Sequence, residues 1–266
     1  MTAILILLVS VVHGVDLNFK RQSLKTFQLN ITDKIIVTTE TFSQSSDYNT
    51  SITLNVDHNY LSNLDIYCKD NCPITKFSAI VNDLEDVPKA VENLINLEEL
   101  DLSANHIKTL RVSSFSHCKS LRSIVIKLNR LNYIEDNIFR SCNNLEKLDL
   151  SYNRLISVPD RLFGNLVRTL EVHKLETAYF SHNQLKYLPI GLPKTLINLY
   201  LDGNRMKTVK ASNLPVKYLS NIQLLNLSSN LIKSIDDYAF KKCKNLKILG
   251  MYDLFKPIPK NEFNKT

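Results

Sequence analysis

Side chains that could carry out chemistry are scattered along this chain. Two acidic pairs, Glu98/Glu99 and Glu146/Asp149, could mimic the two carboxylates that work as general acid and base. The six histidines show no H-x-x-x-H spacing and no Cys/His pair at metal-ligand spacing, so we expect no metal site. G-x-S-x-G, P-loop, H-E-x-x-H and G-x-G-x-x-G motifs are missing from the sequence, and we expect no cofactor. Catalysis is therefore the function that these residues favour least.

A repeated apolar pattern dominates the sequence instead. Leu97–Leu110 reads LEELDLSANHIKTL, which is L-x-x-L-x-L-x-x-N-x-L around Asn105, with a further apolar residue five positions after the Asn and Phe ten positions after it. The pattern is the signature of leucine-rich repeats. It recurs in register, loosely at the first two and the sixth of these asparagines: Asn59, Asn82, Asn105, Asn129, Asn153, Asn183, Asn204 and Asn230.

These repeats predict an α/β leucine-rich repeat solenoid, a horseshoe with a parallel sheet on its concave face and loops and short helices on its convex face. Side chains alternate across a strand, so the leucines point into the core while Glu99 and Asp101 point outward. The chain turns inward after each strand and leaves buried backbone groups. We expect the amide of each repeat Asn to satisfy them with its donors and its acceptor.

The ends of the chain depart from the repeat. Residues 1–14 contain an apolar run, 3–12, that is too short to span a bilayer, and no charged side chain, which indicates a secretory signal peptide; the alternative is a strand or helix buried in the solenoid. We predict an N-terminal cap over 15–50, with Leu24, Phe27 and Leu29 as the strand of a degenerate repeat. Repeats follow over 51–245, and 246–266 form a terminal repeat and a C-terminal cap. We therefore expect a secreted, extracellular protein without a transmembrane segment.

The cysteines and sequons fit a secreted chain. Four cysteines lie thirteen residues after a repeat Asn, a core position, and are predicted to be buried thiols: Cys72, Cys118, Cys142 and Cys243. Cys68 lies outside that column, so a local Cys68–Cys72 bridge is the one disulfide to consider, and its state stays open. Four N-x-S/T sequons are candidate glycosylation sites, at Asn30, Asn49, Asn226 and Asn264.

The repeats from Asn59 to Asn230 resemble the extracellular leucine-rich repeat superfamily of animals. The segment GLPKTLINLYLDGNRM, Gly191 to Met206, is similar to the short repeat of small leucine-rich proteoglycans. The 24-residue units that contain Phe look like those of Toll-like receptor ectodomains. The resemblance implies a solenoid that binds a partner and carries out no catalysis.

We therefore expect a secreted binding module whose concave face or rim recognises an extracellular protein or glycan. A structural matrix component that self-associates is the alternative. Outward strand positions supply the candidate contacts, and exposed tyrosines are favoured at interfaces, although outward Tyr also simply suits strands. The candidate partner-binding residues are Glu99, Asp101, Lys127, Asp149, Tyr152, Tyr179, His182, Tyr200 and Asp202.

Basic charge is concentrated at the C-terminal end. The chain has a net charge of +7, and Arg205 to Thr266 contain 12 Lys or Arg against 4 Asp or Glu. A lysine cluster there, Lys241, Lys242, Lys244 and Lys247, could attract acidic glycans or membrane surfaces, or it could serve only to keep an exposed last repeat soluble. We expect no nucleic-acid partner for an extracellular chain.

Overall fold

The computed structural model describes residues 4–9, 16–18, 20, 26–31, 51–68, 72–164, 173–211 and 219–252, and gives only the backbone at 4–9, 16–17, 26–31 and 67–68. Its largest element is a ten-stranded parallel sheet with one short strand per repeat. From the N-terminal end its strands are β2 (Asp16–Asn18), β4 (Ile52–Asn55), β6 (Ile74–Ser78), β7 (Glu99–Asp101), β9 (Ser123–Val125), β11 (Lys147–Asp149), β12 (Thr177–Tyr179), β13 (Asn198–Tyr200), β15 (Leu224–Asn226) and β17 (Ile248–Gly250).

The opposite side of each coil is built from turns and smaller parallel sheets. β8 (Thr109–Leu110) pairs with β10 (Tyr133–Ile134), and β14 (Thr208–Val209) pairs with β16 (Ser234–Ile235). Two 3-10 helices, Lys89–Asn93 and Val112–Phe115, occur among the described segments. The predicted leucine-rich repeat solenoid is confirmed, with less helix than α/β implies.

Asparagine ladders join each repeat to the one before it, as the sequence predicts. The Oδ1 atom of Asn129 accepts from the backbone N–H of Ile107 at 2.9 Å, and its Nδ2 donates to the carbonyl of Leu102 at 2.9 Å. The same pattern runs from Asn82 to Asn230. Both repeats therefore depend on each amide, and losing one leaves buried backbone groups unsatisfied.

Apolar side chains of successive repeats fill one continuous core. Leu100, Leu102 and Ile107 are at most 1% exposed, which explains the spacing of the motif. The Phe residues ten positions after the repeat asparagines form an aromatic row, in which Phe139 contacts Phe115 at 5.3 Å and Phe163 at 5.6 Å between ring centroids. Burying residues in this way is the main source of stability in a stacked array.

The prediction of buried thiols is wrong for three of the four column cysteines, Cys72, Cys118 and Cys142. Cys118 and Cys142 are buried as expected, but they form a disulfide with their Cα atoms 4.8 Å apart. Equal positions in adjacent repeats come within bridging distance, and the sequence interpretation overlooked this. Cys72 is disulfide-bonded, whereas the side chain of Cys68 lies outside the described residues, so the Cys68–Cys72 pair stays a prediction.

The N-terminal register also differs from the prediction. β3 (Thr26–Ile31) contains Phe27 but lies in a separate three-stranded sheet between β1 (Ile4–Val9) and β5 (Asn63–Cys68). The large sheet instead takes its first strand from Asp16–Asn18, which pairs with β4. Asp16–Asn18 is only three residues long and has no leucine pattern around it, so the sequence does not indicate this strand. Residues 4–9 form β1 in the full chain, and cleavage of 1–14 stays a prediction.

Candidate binding face

Three columns of outward side chains cover the ten-stranded sheet. They lie six, four and two residues before each repeat Asn, because side chains alternate along a strand. In the central column, strand pairing places Asp149, Tyr179 and Tyr200 side by side. This column brings two of the predicted partner-binding tyrosines together in the later repeats.

Tyr179 and Tyr200 form a stacked pair. Their ring centroids are 4.6 Å apart with an interplanar angle of 10°, and Lys147 Nζ lies 5.8 Å from the Tyr179 centroid. Burial raises the pKa of Tyr179, with smaller contributions from Tyr200 and Asp149. The Tyr179 phenol therefore stays protonated at neutral pH, and it can donate a hydrogen bond to a partner.

Tyr152, another predicted contact, does not join that row. It lies three residues beyond the end of β11, with φ of 55°, and it stacks on His182 at 4.3 Å between ring centroids. His182 Nε2 in turn lies 3.6 Å from Asp202 Oδ2. The candidates thus form two pairs, and we call Tyr152, Tyr179, His182 and Tyr200 the aromatic patch.

The position just before each repeat Asn is the signal that the sequence reading missed. Its residues adopt a left-handed backbone conformation, including Val81, Leu128, Tyr152 and His182. A positive φ is strained for bulky residues, especially the β-branched Val81. Val81, Leu128 and Tyr152 are nevertheless 41%, 51% and 48% exposed, so this turn presents apolar side chains beside the concave sheet.

Gly203 occupies the same turn position and makes room for His182. Its φ is 67°, and a Cβ added to it would lie 2.5 Å from His182 Nδ1. The imidazole is therefore held between the ring of Tyr152 and the backbone at Gly203. The spacing of this glycine from the repeat Asn could have revealed the site, since it interrupts a column of larger residues.

Several predicted acidic contacts are engaged by the fold itself. Asp149 is only 9% exposed, because its Oδ1 accepts from the backbone N–H of Ser151 at 3.0 Å and from the Ser151 hydroxyl at 2.5 Å. Asp101 makes the same pair of bonds with Ser103. The expectation that Asp149 points freely outward is therefore wrong: the carboxylate folds back onto the turn.

The remaining candidates either lie away from the aromatic patch or are hydrogen-bonded to side chains next to it. Glu99 is on β7 and forms an ion pair with Lys76 at 2.8 Å. Asp202 accepts from the Ser181 hydroxyl at 2.6 Å and from Asn226 Nδ2 at 3.0 Å. Lys127 is half-buried in the column two residues before Asn129. Among the predicted contacts, the stacked aromatic pairs of the later repeats are the ones that the fold brings together.

The structure describes the side chain of one of the four candidate glycosylation sites, Asn226. The Asn226 amide donates to Asp202 and accepts from the backbone of Ser228 at 3.1 Å, so its glycosylation stays a prediction at a half-buried position. The side chains of Asn30, Asn49 and Asn264 lie outside the described residues.

All four lysines of the C-terminal cluster are exposed, with Lys241 Nζ 5.5 Å from the centroid of the Tyr238 ring and Lys247 donating to Gln223 at 3.0 Å.

Across the described part of the chain, no three His, Cys, Asp or Glu side chains come together in a way that could hold a metal ion. No helix within those same residues is long and apolar enough to cross a membrane.

Family comparison agrees with the coil geometry. A leucine rich repeat family model matches residues 82–131, 95–155, 119–173 and 194–252, which together cover more than half of the chain. The chain belongs to the leucine-rich repeat family. Lumican from Bos taurus is 28% identical over 197 residues, 64% of this chain and 55% of lumican. Human leucine-rich repeat-containing protein 3B is 37% identical over 86 residues, 32% of each chain. The aligned part of this leucine-rich repeat chain thus spans about half or less of the length of these relatives.

Solved structures share the fold at low sequence identity. The octameric complex of Latrophilin 3, Unc5D and the FLRT2 leucine-rich repeat domain gives a TM-score of 0.63 at 20% identity, over 88% of this chain and 68% of the matched one. The mouse RP105/MD-1 complex gives 0.60 at 21% identity, over 93% and 42%. The Toll–Spatzle complex of Drosophila gives 0.57 at 20% identity, over 87% and 32%. These likenesses establish the solenoid fold.

Proposed function

We propose that this chain is a secreted, non-enzymatic binding protein that recognises an extracellular protein partner through the aromatic patch on its concave face. The observation that carries the proposal is the pairing of Tyr152 with His182 and of Tyr179 with Tyr200. Stacked rings on a rigid sheet and in the turns beside it lose little entropy on binding, while their edges and hydroxyls remain able to bury area and to hydrogen-bond.

Secretion is supported by two features. The Cys118–Cys142 disulfide is typical of oxidising compartments, and the apolar segment 1–14 is typical of a signal peptide.

The solved neighbours include complexes with protein partners, among them Toll with Spatzle and RP105 with MD-1. A protein partner is therefore favoured over a glycan for the concave face.

A binding role is also favoured over catalysis by the state of the acidic candidates. Asp149 and Asp101 are hydrogen-bonded to the turns that follow them, and Glu146 forms an ion pair with Arg122 at 3.0 Å. These contacts give the carboxylates structural roles. General acid–base work needs a carboxyl group within reach of a reacting proton.

The test compares the half-buried pair Tyr179 and Tyr200 with a pair of exposed tyrosines. Tyr179→Ala with Tyr200→Ala removes one stack, and Tyr133→Ala with Tyr238→Ala removes two tyrosines outside the large sheet, each 57% exposed. Tagged proteins are incubated with native extracellular fluid, and captured proteins are quantified by mass spectrometry. We expect the first pair to lose the specific partner, by about 2 kcal/mol or more in affinity, and the second to retain it. Equal capture by both would place the binding site elsewhere.

Self-association as a matrix component is the second candidate, and the end of the sheet favours it. β17 is the last strand described, and Ile248 within it and Tyr252 just after it are 57% and 79% exposed. Open strand edges are association sites unless they are covered. A mass by light scattering that rises with protein concentration would support this function, and a constant monomer mass would exclude it.

A further inference from the structure

One rim of the solenoid carries a continuous row of positive charge outside the lysine cluster and the aromatic patch. The row consists of residues one or three positions after the repeat asparagines, from the Asn129 repeat to the Asn230 repeat. We call it the basic rim, and its members, all exposed, are Arg130, Arg154, Lys186, Arg205, Lys207 and Lys233.

Backbone hydrogen bonds hold these residues in register. The N–H of Arg130 donates to the carbonyl of Ile107 at 3.0 Å, that of Arg154 to Leu131 at 2.9 Å, and that of Arg205 to Leu185 at 2.9 Å. Lys233 is bonded in the same way to Lys207 at 2.9 Å. Parallel strands lie about 4.8 Å apart, so the charges follow one another at roughly that step along the rim.

Among the described residues, the carboxylates paired on this rim lie at its N-terminal end, where Glu85 also attracts Arg130 electrostatically. Lys108 pairs with Glu85 at 2.8 Å, and His106 lies 3.5 Å from Asp83. From the Asn129 repeat onward, the four residues after each repeat Asn contain no Asp or Glu. Among the described residues, the members of the basic rim make no ion pair.

Two acidic side chains further along these repeats bond to backbone N–H groups. Glu135 accepts from the backbone N–H of Val112 at 2.7 Å, and Asp236 accepts from that of Ala211 at 3.2 Å. The opposite rim provides a contrast, because Arg122 there lies between Glu98 at 3.7 Å and Glu146 at 3.0 Å. Arg122 is thus balanced by two carboxylates, whereas the basic rim keeps an excess of positive charge.

An unbalanced row of regularly spaced guanidinium and ammonium groups suits a linear polyanion. Arginine forks bind sulfate, phosphate and carboxylate groups with two parallel hydrogen bonds, and each neutralised charge releases counterions. We propose that the basic rim binds a sulfated glycosaminoglycan chain that runs across successive repeats.

Two observations favour this ligand over a single-stranded nucleic acid. Nucleic-acid grooves stack bases on open aromatic faces, whereas the rings of Tyr152 and His182 stack face to face on each other, at an angle of 16°. In addition, the Cys118–Cys142 disulfide indicates an oxidising compartment. Sulfated glycans are the abundant linear polyanions outside cells.

The experiment measures the affinity for a heparin-derived octasaccharide by calorimetry at two salt concentrations. Arg130→Gln, Arg154→Gln and Arg205→Gln are combined, and the matched control combines Lys241→Gln, Lys242→Gln and Lys244→Gln, which removes the same charge from the lysine cluster. We expect the rim variant to lose about tenfold or more in affinity and to show a salt dependence reduced by about three counterions. The control should stay within about twofold, and both variants should melt like the wild type.

Every other outcome overturns the proposal in a defined way. Equal losses in both variants would mean that net charge alone drives binding, and a loss only in the control would move the site to the lysine cluster. A desulfated octasaccharide or a single-stranded oligonucleotide that binds as tightly would exclude the assigned ligand class. Tyr179→Ala with Tyr200→Ala should leave the octasaccharide affinity unchanged, which separates this proposal from that for the aromatic patch.

Discussion

At the scale of the residue, a single asparagine serves two repeats. Asn129 accepts from Ile107 and donates to carbonyls of its own repeat and of the preceding one. The sequence predicts this role because Asn recurs at a fixed place among leucines. It does not predict that Asp149 folds back onto Ser151 or that Tyr152 leaves the strand. Both features depend on the left-handed turn between the strand and the Asn. This turn has no apolar pattern in the sequence that would predict it.

Asn129→Ala should lower the free energy of unfolding by about 1–3 kcal/mol, because it leaves buried backbone groups without partners. Asn132→Ala, at an exposed position three residues later, should change it by less than about 0.5 kcal/mol. Urea denaturation of the two variants provides the measurement. Equal effects would mean that the Asn129 amide does not join the repeats.

Gly203→Ala tests the packing of His182. The substitution should cost about 1 kcal/mol for the positive φ and more for the contact with the imidazole, which it displaces from Tyr152. In a His182→Ala background only the backbone cost should remain. A double-mutant cycle in stability measures the difference between the two backgrounds. No coupling between the two positions would show that His182 does not rest against this glycine.

At the scale of the element, each short strand is fixed by its neighbours. Three residues with one buried apolar side chain, such as Lys147–Asp149, cannot form a stable strand alone, but pairing on both sides places them within the sheet. The central repeats were predictable because their leucines recur. Asp16–Asn18 was not, since a strand at the end of an array buries less and keeps less of the pattern.

The disulfide between adjacent coils gives a prediction at this scale. Cys118 and Cys142 close a loop with a sequence separation of 24, so replacing both with Ala should lower the free energy of unfolding by about 2–4 kcal/mol. Non-reducing peptide mapping should recover a linked pair of peptides that contain these residues. Alkylation of both thiols without reduction would contradict the bridge.

At the scale of the whole molecule, the repeat turns local sequence into long surfaces. Each position of the motif becomes a column, so the same stacking produces the aromatic patch on the concave side and the basic rim beside it. Fold and column membership were predictable from the spacing of the asparagines. Which columns would form a binding surface was not predictable from that spacing. Whether a charge is balanced depends on side chains that lie one repeat apart, as for Lys108 and Glu85.

Photo-crosslinking tests the central claim, that a partner binds the concave face, most directly. A photoreactive phenylalanine analogue is placed at Tyr152, 48% exposed, or at Tyr238, 57% exposed and outside the large sheet. The proteins are irradiated in native extracellular fluid, and adducts are identified by mass spectrometry. The account predicts a specific protein adduct from position 152 that is missing from position 238. Adducts from position 238 alone, or the same adducts from both positions, would contradict it.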